Sequence, residues 1–241
     1  MVTALLKSLD PIAIFCFRLH DFASDIFAKH LFLIKRSLLI VAHLSLFGFL
    51  LPDLRTDFGQ MAANVLIFIL FLSPLSRIFR MRLLLQMMSI RRELGILMAY
   101  MATVHGLGYL LDPAWFAIYV GPYWRTDFFA IEPRFLFGML AYALTLPLFL
   151  TSNNLAMRFL GGAKWKLLHR IVYAVFVAAI FHRFLIRGVR VSDNISGLIQ
   201  AILLIAAYAF AKLLAWKNFL PPLREAIAYI AGRYRRFEIH I

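Results

Sequence analysis

The chain has 241 residues, of which 63% are hydrophobic and 16% charged, with a mean hydropathy of +0.81, whereas a soluble domain carries about 25% charged residues. That composition excludes a soluble globular domain, so the net charge of +14 must be read first as a topology signal rather than as a sign of nucleic acid. A lone cysteine, Cys16, excludes an internal disulfide, and no small-residue cleavage site follows a short apolar run near Met1, so the first helix is expected to remain as an anchor.

In chain order, residues 1–34 carry Phe15, Leu19, Phe22, Ile26 and Phe27 at roughly helical spacing among charged residues, the pattern of an amphipathic helix lying in a membrane interface. Runs able to cross a hydrocarbon core of about 30 Å follow. They lie at 35–52, 60–79, 94–111, 134–151, 167–187 and 196–216. The connections are short except for 112–133, which holds seven aromatic residues and could lie on the membrane or receive a partner. Residues 217–241 carry a proline pair at 221–222 that blocks a helix and continue as a basic amphipathic tail, read as a topology-fixing surface helix or a docking segment. No internal repeat is evident. The expected fold class is therefore all-α: a polytopic bundle of six membrane helices spanning 35–216, with an interfacial N-terminal segment.

Charge sets the orientation. With the N-terminus in the cytoplasm, 20 Lys and Arg fall on the inner side and 6 on the outer side, where Arg55, Arg125, Arg134, Arg183, Arg187 and Arg190 are balanced by six acids. Both termini are thus expected in the cytoplasm.

Of seven histidines, His43, His105, His169 and His182 fall in or at the ends of predicted spans. An imidazole in a bilayer is costly unless paired or ligated. The third and fifth spans run in the same direction; His105 lies 13 residues beyond Arg92, and His182 lies 12 beyond Arg170. At about 1.5 Å per residue the two imidazoles reach nearly equal depth in the outer leaflet. Two neutral imidazoles facing each other there suit axial ligation of a haem iron, or else a hydrogen bond across a helix interface. His169 is 13 residues before His182, about 20 Å lower, and off a common face of an ideal helix, so tilt or local unwinding is needed for both to face the third span. His43 competes for a ligand or quinone role, the other reading being an interhelical hydrogen bond. His20, His30 and His240 read as surface residues.

Three segments, RRELGILMAYMATVHGLGYLLD (91–112), LTLPLFLTSN (144–153) and LGGAKWKLLHRIVYAVFVAAIFH (160–182), together resemble the ferric-reductase-like transmembrane domain family. Within it they are most similar to the branch of haem-binding membrane subunits that serve a periplasmic methionine sulfoxide reductase. The resemblance runs from LFLSPLSRIF at 70–79 to the end of the fifth span, roughly half the chain. It implies a b-type haem cytochrome of the bacterial inner membrane, moving electrons from a cytoplasmic-side quinol or reduced flavin to an outer acceptor. His105 and His182 match the axial ligand positions, and His169 matches a third family histidine of open role.

A tail of about 25 residues leaves no length for a fused flavin and nicotinamide domain, so the donor is expected to be a separate molecule. Arg91, Arg92, Arg170 and His169, with Lys164 and Lys166, would form its site: the cations could hold an FMN phosphate or an anionic quinone, and His169 could take a quinol proton. The same cations equally serve as the positive-inside signal. Arg183, Arg187 and Arg190 could neutralise haem propionates, meet an acidic partner or anchor the outer interface. The expected partners are a periplasmic or membrane redox protein, a quinol or flavin donor and lipid, with no nucleic acid. The other reading is a haem-free structural or assembly subunit of a larger complex that keeps the fold; a transporter has little support without repeats or paired broken helices.

Overall fold

The computed structural model describes residues 2–186 and 195–217. Arg187, Arg190, His240 and the basic tail beyond 217 lie outside the described residues. Among those described there is no strand, as expected where every backbone polar group must be satisfied within its own segment.

The helices are α1 (Val2–Lys29), α2 (Leu31–Ser45), α3 (Arg55–Phe79), α4 (Arg82–Met87), α5 (Arg91–Leu110), α6 (Pro113–Tyr119), α7 (Gly121–Trp124), α8 (Pro133–Leu150), α9 (Asn154–Leu168), α10 (Val172–Leu185) and α11 (Ile195–Lys217), with short 3-10 turns between several of them. Five stretches are long and apolar enough to cross a membrane: Leu31–Leu50, Pro52–Phe79, Pro133–Leu150, Asn154–Leu185 and Ile195–Trp216. A sixth is counted when Arg82–Leu110 and Pro113–Tyr119, bent by 73° at the break, are taken as one span. The expected six-helix membrane bundle is thus present. Its third span is the broken one because it opens on Arg91, Arg92 and Glu93 and ends at Pro113, which starts a new helix.

Two differences from the expected spans have local causes. The connection before the fifth span is helical, because Asn153 caps α9 by accepting a hydrogen bond from Ala156 N at 2.8 Å. Within α9, Gly161 has φ 73° and ψ 151°, a conformation open only to glycine, and the helix kinks there. The fifth span then passes through a 3-10 turn, His169–Ile171, before α10.

The described chain forms two compact units, one within residues 2–34, 71–90 and 209–217 and the other within 35–70, 91–186 and 195–208. In the first, α1 packs along α4; Arg82 pairs with Asp25 at 2.8 Å, and Leu83 N–H donates to His20 Nε2 at 3.3 Å. Phe15, Leu19, Phe22 and Ile26 stay exposed, an unburied apolar stripe of the kind an interfacial helix presents. In the second unit α8 and α10 are the most closely packed pair, with Phe137 stacked on Phe181 at 5.3 Å. Leu66, Val104, Val175, Phe176 and Ile180 are buried. Thr103 and Thr145 return their hydroxyls to carbonyls one turn back at 2.8 Å, satisfying polar groups inside apolar helices.

The 112–133 segment is folded rather than an open loop. Val120, Ile131 and Phe135 form a small core covered by Trp115, Phe116, Tyr119 and Leu136. Asp112 anchors it, capping α6 by accepting from Ala114 N and Trp115 N and pairing with Arg55 Nη1 at 2.8 Å. The Trp115 amide, then the Arg55 guanidinium, hold the Asp112 carboxyl below its ordinary value. A depressed carboxylate contributes stability above its unfolded pKa of about 3.9, and that contribution is lost as pH falls through the lower folded value. Asp112→Ala should therefore lower the thermal unfolding midpoint more near neutral pH than in strong acid, where the ion pair is already lost and only the cap is removed. Asp112→Asn, which keeps the cap but not the ion pair, should fall between Ala and the parent. Circular dichroism melts at two pH values check this.

Candidate functional site

α5 carries His105 and α10 carries His182, and the equal depth expected from their spacing is met by a separation of 5.9 Å between ring centroids at an interplanar angle of 61°. His105 Nδ1–H donates to the Arg55 carbonyl at 2.9 Å, and His182 Nδ1–H donates to the Arg134 carbonyl at 2.6 Å. A carbonyl only accepts, so each hydrogen bond places the ring proton on Nδ1 and leaves Nε2 with its lone pair. A backbone carbonyl behind a histidine is the usual arrangement for orienting a metal-binding imidazole.

Both rings line one cavity of about 410 Å³, walled by Leu66, Met98, Val175 and Ala179, with Gln60 and Arg183 among its polar groups. Its size lies within the usual range for small-molecule sites, about 300–1,000 Å³. Arg183 Nη1 donates to Asn64 Oδ1 at 2.6 Å, which holds that cation at the cavity on α3's side.

The donor set fits one kind of metal centre. Among the described residues no group of three or more His, Cys, Asp or Glu could hold a metal ion, and an ion bound by protein alone needs three or four such ligands. Two imidazoles suffice when a planar macrocycle fills the other positions. His105 and His182, 5.9 Å apart at their ring centres and each with Nε2 left free by its Nδ1 hydrogen bond, are a donor pair of that kind.

His169 lies elsewhere. Thr151 Oγ1–H donates to Pro147 O at 2.7 Å, so His169 Nε2–H donates to Thr151 Oγ1 at 3.1 Å. The imidazole stacks on Trp165 at 3.9 Å, and Trp165 Nε1–H donates to Thr151 O at 2.9 Å. His169 therefore faces the end of α8 and is absent from the lining of the cavity that holds His105 and His182. Three residues on, Asn154 Oδ1 accepts from Arg92 Nη1 at 2.9 Å, so the Thr151–Asn154 corner has His169 on one side and Arg92 on the other. Arg170 is exposed and Arg91 half-buried. His43 is satisfied on both nitrogens, Nδ1–H donating to Leu39 O at 2.7 Å and Nε2 accepting from Tyr100 O–H at 3.3 Å, the interhelical hydrogen bond that was one of its two readings.

Three features of the site were missed from sequence. Glu93, beside Arg92, is 2% exposed; one oxygen takes Arg92 Nη2 at 3.2 Å, and the other has no hydrogen-bond partner among the described residues. Gly59 and Gly138 each face one of the paired histidines. The only sequence signal for the glycines is a shared Arg-x-x-Phe-Gly at 55–59 and 134–138.

Comparison with known proteins places these residues in a family. The family described as "Ferric reductase like transmembrane component" matches residues 58–180, just over half the chain. The heme-binding subunit MsrQ of protein-methionine-sulfoxide reductase from Azospira oryzae is 36% identical over 155 residues, 63% of each chain. The same subunit from Ralstonia nicotianae is 36% identical over 118 residues, 47% of this chain and 49% of the relative. That from Brucella ovis is 32% identical over 173 residues, 70% of this chain and 74% of the relative. The chain thus spans about half to under two thirds of the length of the first two relatives. No solved structure matches.

Proposed function

Because the chain belongs to the ferric reductase-like transmembrane component family, we propose that it is a haem-binding electron-transfer subunit of a bacterial inner membrane, holding haem b between His105 and His182. The observation that carries this reading is the 5.9 Å juxtaposition of those two imidazoles, each tied through Nδ1 to a backbone carbonyl. When bound, the haem supplies a one-electron carrier inside the hydrocarbon layer. His105 and His182 would hold it through Nε2, and the two carbonyls keep each ring in the tautomer that leaves that nitrogen free. The apolar cavity wall excludes water from that pair. Arg183 places a positive charge at the cavity, suited to a propionate carboxylate.

The electron donor is a membrane quinol or a reduced flavin, FMN included, bound at the opposite end of the spans near the Thr151–Asn154 corner. Arg92, with Arg91 and Arg170 nearby, balances its negative charge, and His169 takes the proton released on oxidation. The acceptor is a periplasmic redox protein that meets the folded 112–133 segment, whose Trp115 ring lies 5.4 Å from Tyr109 of α5, which in turn packs on His105.

The test is a reduced-minus-oxidised visible spectrum of the detergent-purified protein with a haem-to-protein ratio. A b-type spectrum at a ratio of one or more supports the reading. A colourless protein expressed with ample haem overturns it in favour of a haem-free structural subunit.

A further inference from the structure

The two ligand histidines sit on matching surfaces. α3 opens with Arg55-Thr56-Asp57-Phe58-Gly59, and the first turns of α8 read Arg134-Phe135-Leu136-Phe137-Gly138. In an α-helix, residues four apart lie one turn from each other on one face, and the carbonyl of the first points toward the amide of the second. A ring laid against the glycine therefore has its Nδ1 beside the carbonyl of the arginine one turn earlier. Both hydrogen bonds have this form, across sequence separations of 50 and 48 residues.

The glycines are what admit the rings. A Cβ on Gly59 would lie 2.6 Å from His105 Nδ1, and one on Gly138 would lie 2.7 Å from His182 Nδ1, closer than any real contact of that kind. This is not a general property of glycines in these helices: a Cβ on Gly95 in α5 would meet nothing within 4 Å. Each seat is also pinned at its arginine, Arg55 by Asp112 at 2.8 Å and Arg134 by Glu132 at 2.6 Å.

We infer that Gly59 and Gly138 are positioning residues, each closing an Arg-x-x-Phe-Gly seat that receives one histidine ring, so that α3 with α5 and α8 with α10 form two equivalent halves of the ligand cradle. The inference rests on the reading of His105 and His182 as axial ligands. In each half the missing Cβ sets how far the ring advances, and the carbonyl sets which nitrogen faces the cavity. A methyl group at either glycine pushes the ring off its seat and breaks the hydrogen bond in the same movement.

The test uses the full-length, haem-loaded protein with Gly59→Ala, Gly138→Ala and Gly95→Ala, read by haem-to-protein ratio, by spin state in visible and paramagnetic resonance spectra, and by thermal unfolding. Disturbing an outer-shell partner costs about 10–100-fold in metal affinity. Gly59→Ala and Gly138→Ala should each weaken haem retention by that factor and convert a six-coordinate low-spin signal to a five-coordinate high-spin one, with Gly95→Ala unchanged. Damage of a general kind is separated by a double-mutant cycle on unfolding: in a His182→Gly background Gly138→Ala has no ring to displace and should leave the midpoint where His182→Gly set it, and likewise Gly59→Ala with His105→Gly. The inference is overturned if both alanine variants keep the parent low-spin spectrum, or if Gly138→Ala lowers the midpoint equally with and without His182. A parent protein that binds no haem sinks the ligand reading instead, while the unfolding cycle still reports on the seats.

Discussion

Replacing His105 or His182 by alanine should each, alone, reduce haem content to background. Removing an outer-shell partner already costs about 10–100-fold in affinity, so removing a ligand should cost at least the upper end of that range. The two losses should not add, because one remaining imidazole cannot hold the six-coordinate state. The check is the haem-to-protein ratio of purified variants, with circular dichroism showing that the helices persist. Folding should survive, since both rings border a cavity rather than fill a close-packed core. Full haem content and an unchanged spectrum in either variant would remove the axial pair from the proposal. By contrast, His43→Ala should keep the spectrum, because both its nitrogens are already engaged by Leu39 and Tyr100.

His169→Ala should leave the haem bound to His105 and His182 in its parent spectrum but slow its reduction by quinol or reduced flavin. A positioned proton acceptor contributes about 10²–10⁴-fold to a step that needs one, and a hundredfold decrease is expected here. Reduction by dithionite, which requires no proton transfer at this end, should be unaffected. His169 also holds the end of α8 through Thr151 and Trp165, so a purely structural role has to be separated. His169→Gln does so: its amide can still donate to Thr151, but it cannot take a proton. Equal slowing in Gln and Ala supports the proton role; recovery in Gln would reduce His169 to a strut. Stopped-flow reduction with a soluble quinol and with dithionite supplies both measurements.

How much of this was legible in advance differs by kind of feature. The spans could be read because a bilayer demands about 20 consecutive apolar residues, a local property of sequence. The third span breaks at Asp112–Pro113 with a 73° bend, and its hydropathy alone does not show how the outer segment folds back into a core of Val120, Ile131 and Phe135. The pairing of His105 with His182 was legible because helix rise is constant, so residue counts from each inner edge convert directly to depth. Depth says nothing about azimuth, so the direction in which His169 faces could not be settled. It depended on the 3-10 turn at His169–Ile171 and on Thr151, a contact across 18 residues. The seats at Gly59 and Gly138 were hidden for a related reason: five residues repeated twice are too weak a pattern until the rings are seen lying on them.

The amino-acid sequence by itself determined that this chain crosses a membrane in a series of helical passes, five or, with the bent third span, six, and brings two imidazoles to one depth, because hydrophobic length and helix rise act residue by residue. Only the tertiary structure decided that those imidazoles meet across 5.9 Å, which of their nitrogens faces the cavity, and that His169 and His43 are engaged elsewhere. Those outcomes depend on rotation about helix axes and on backbone carbonyls of neighbouring helices, which are set by packing between segments far apart in the chain.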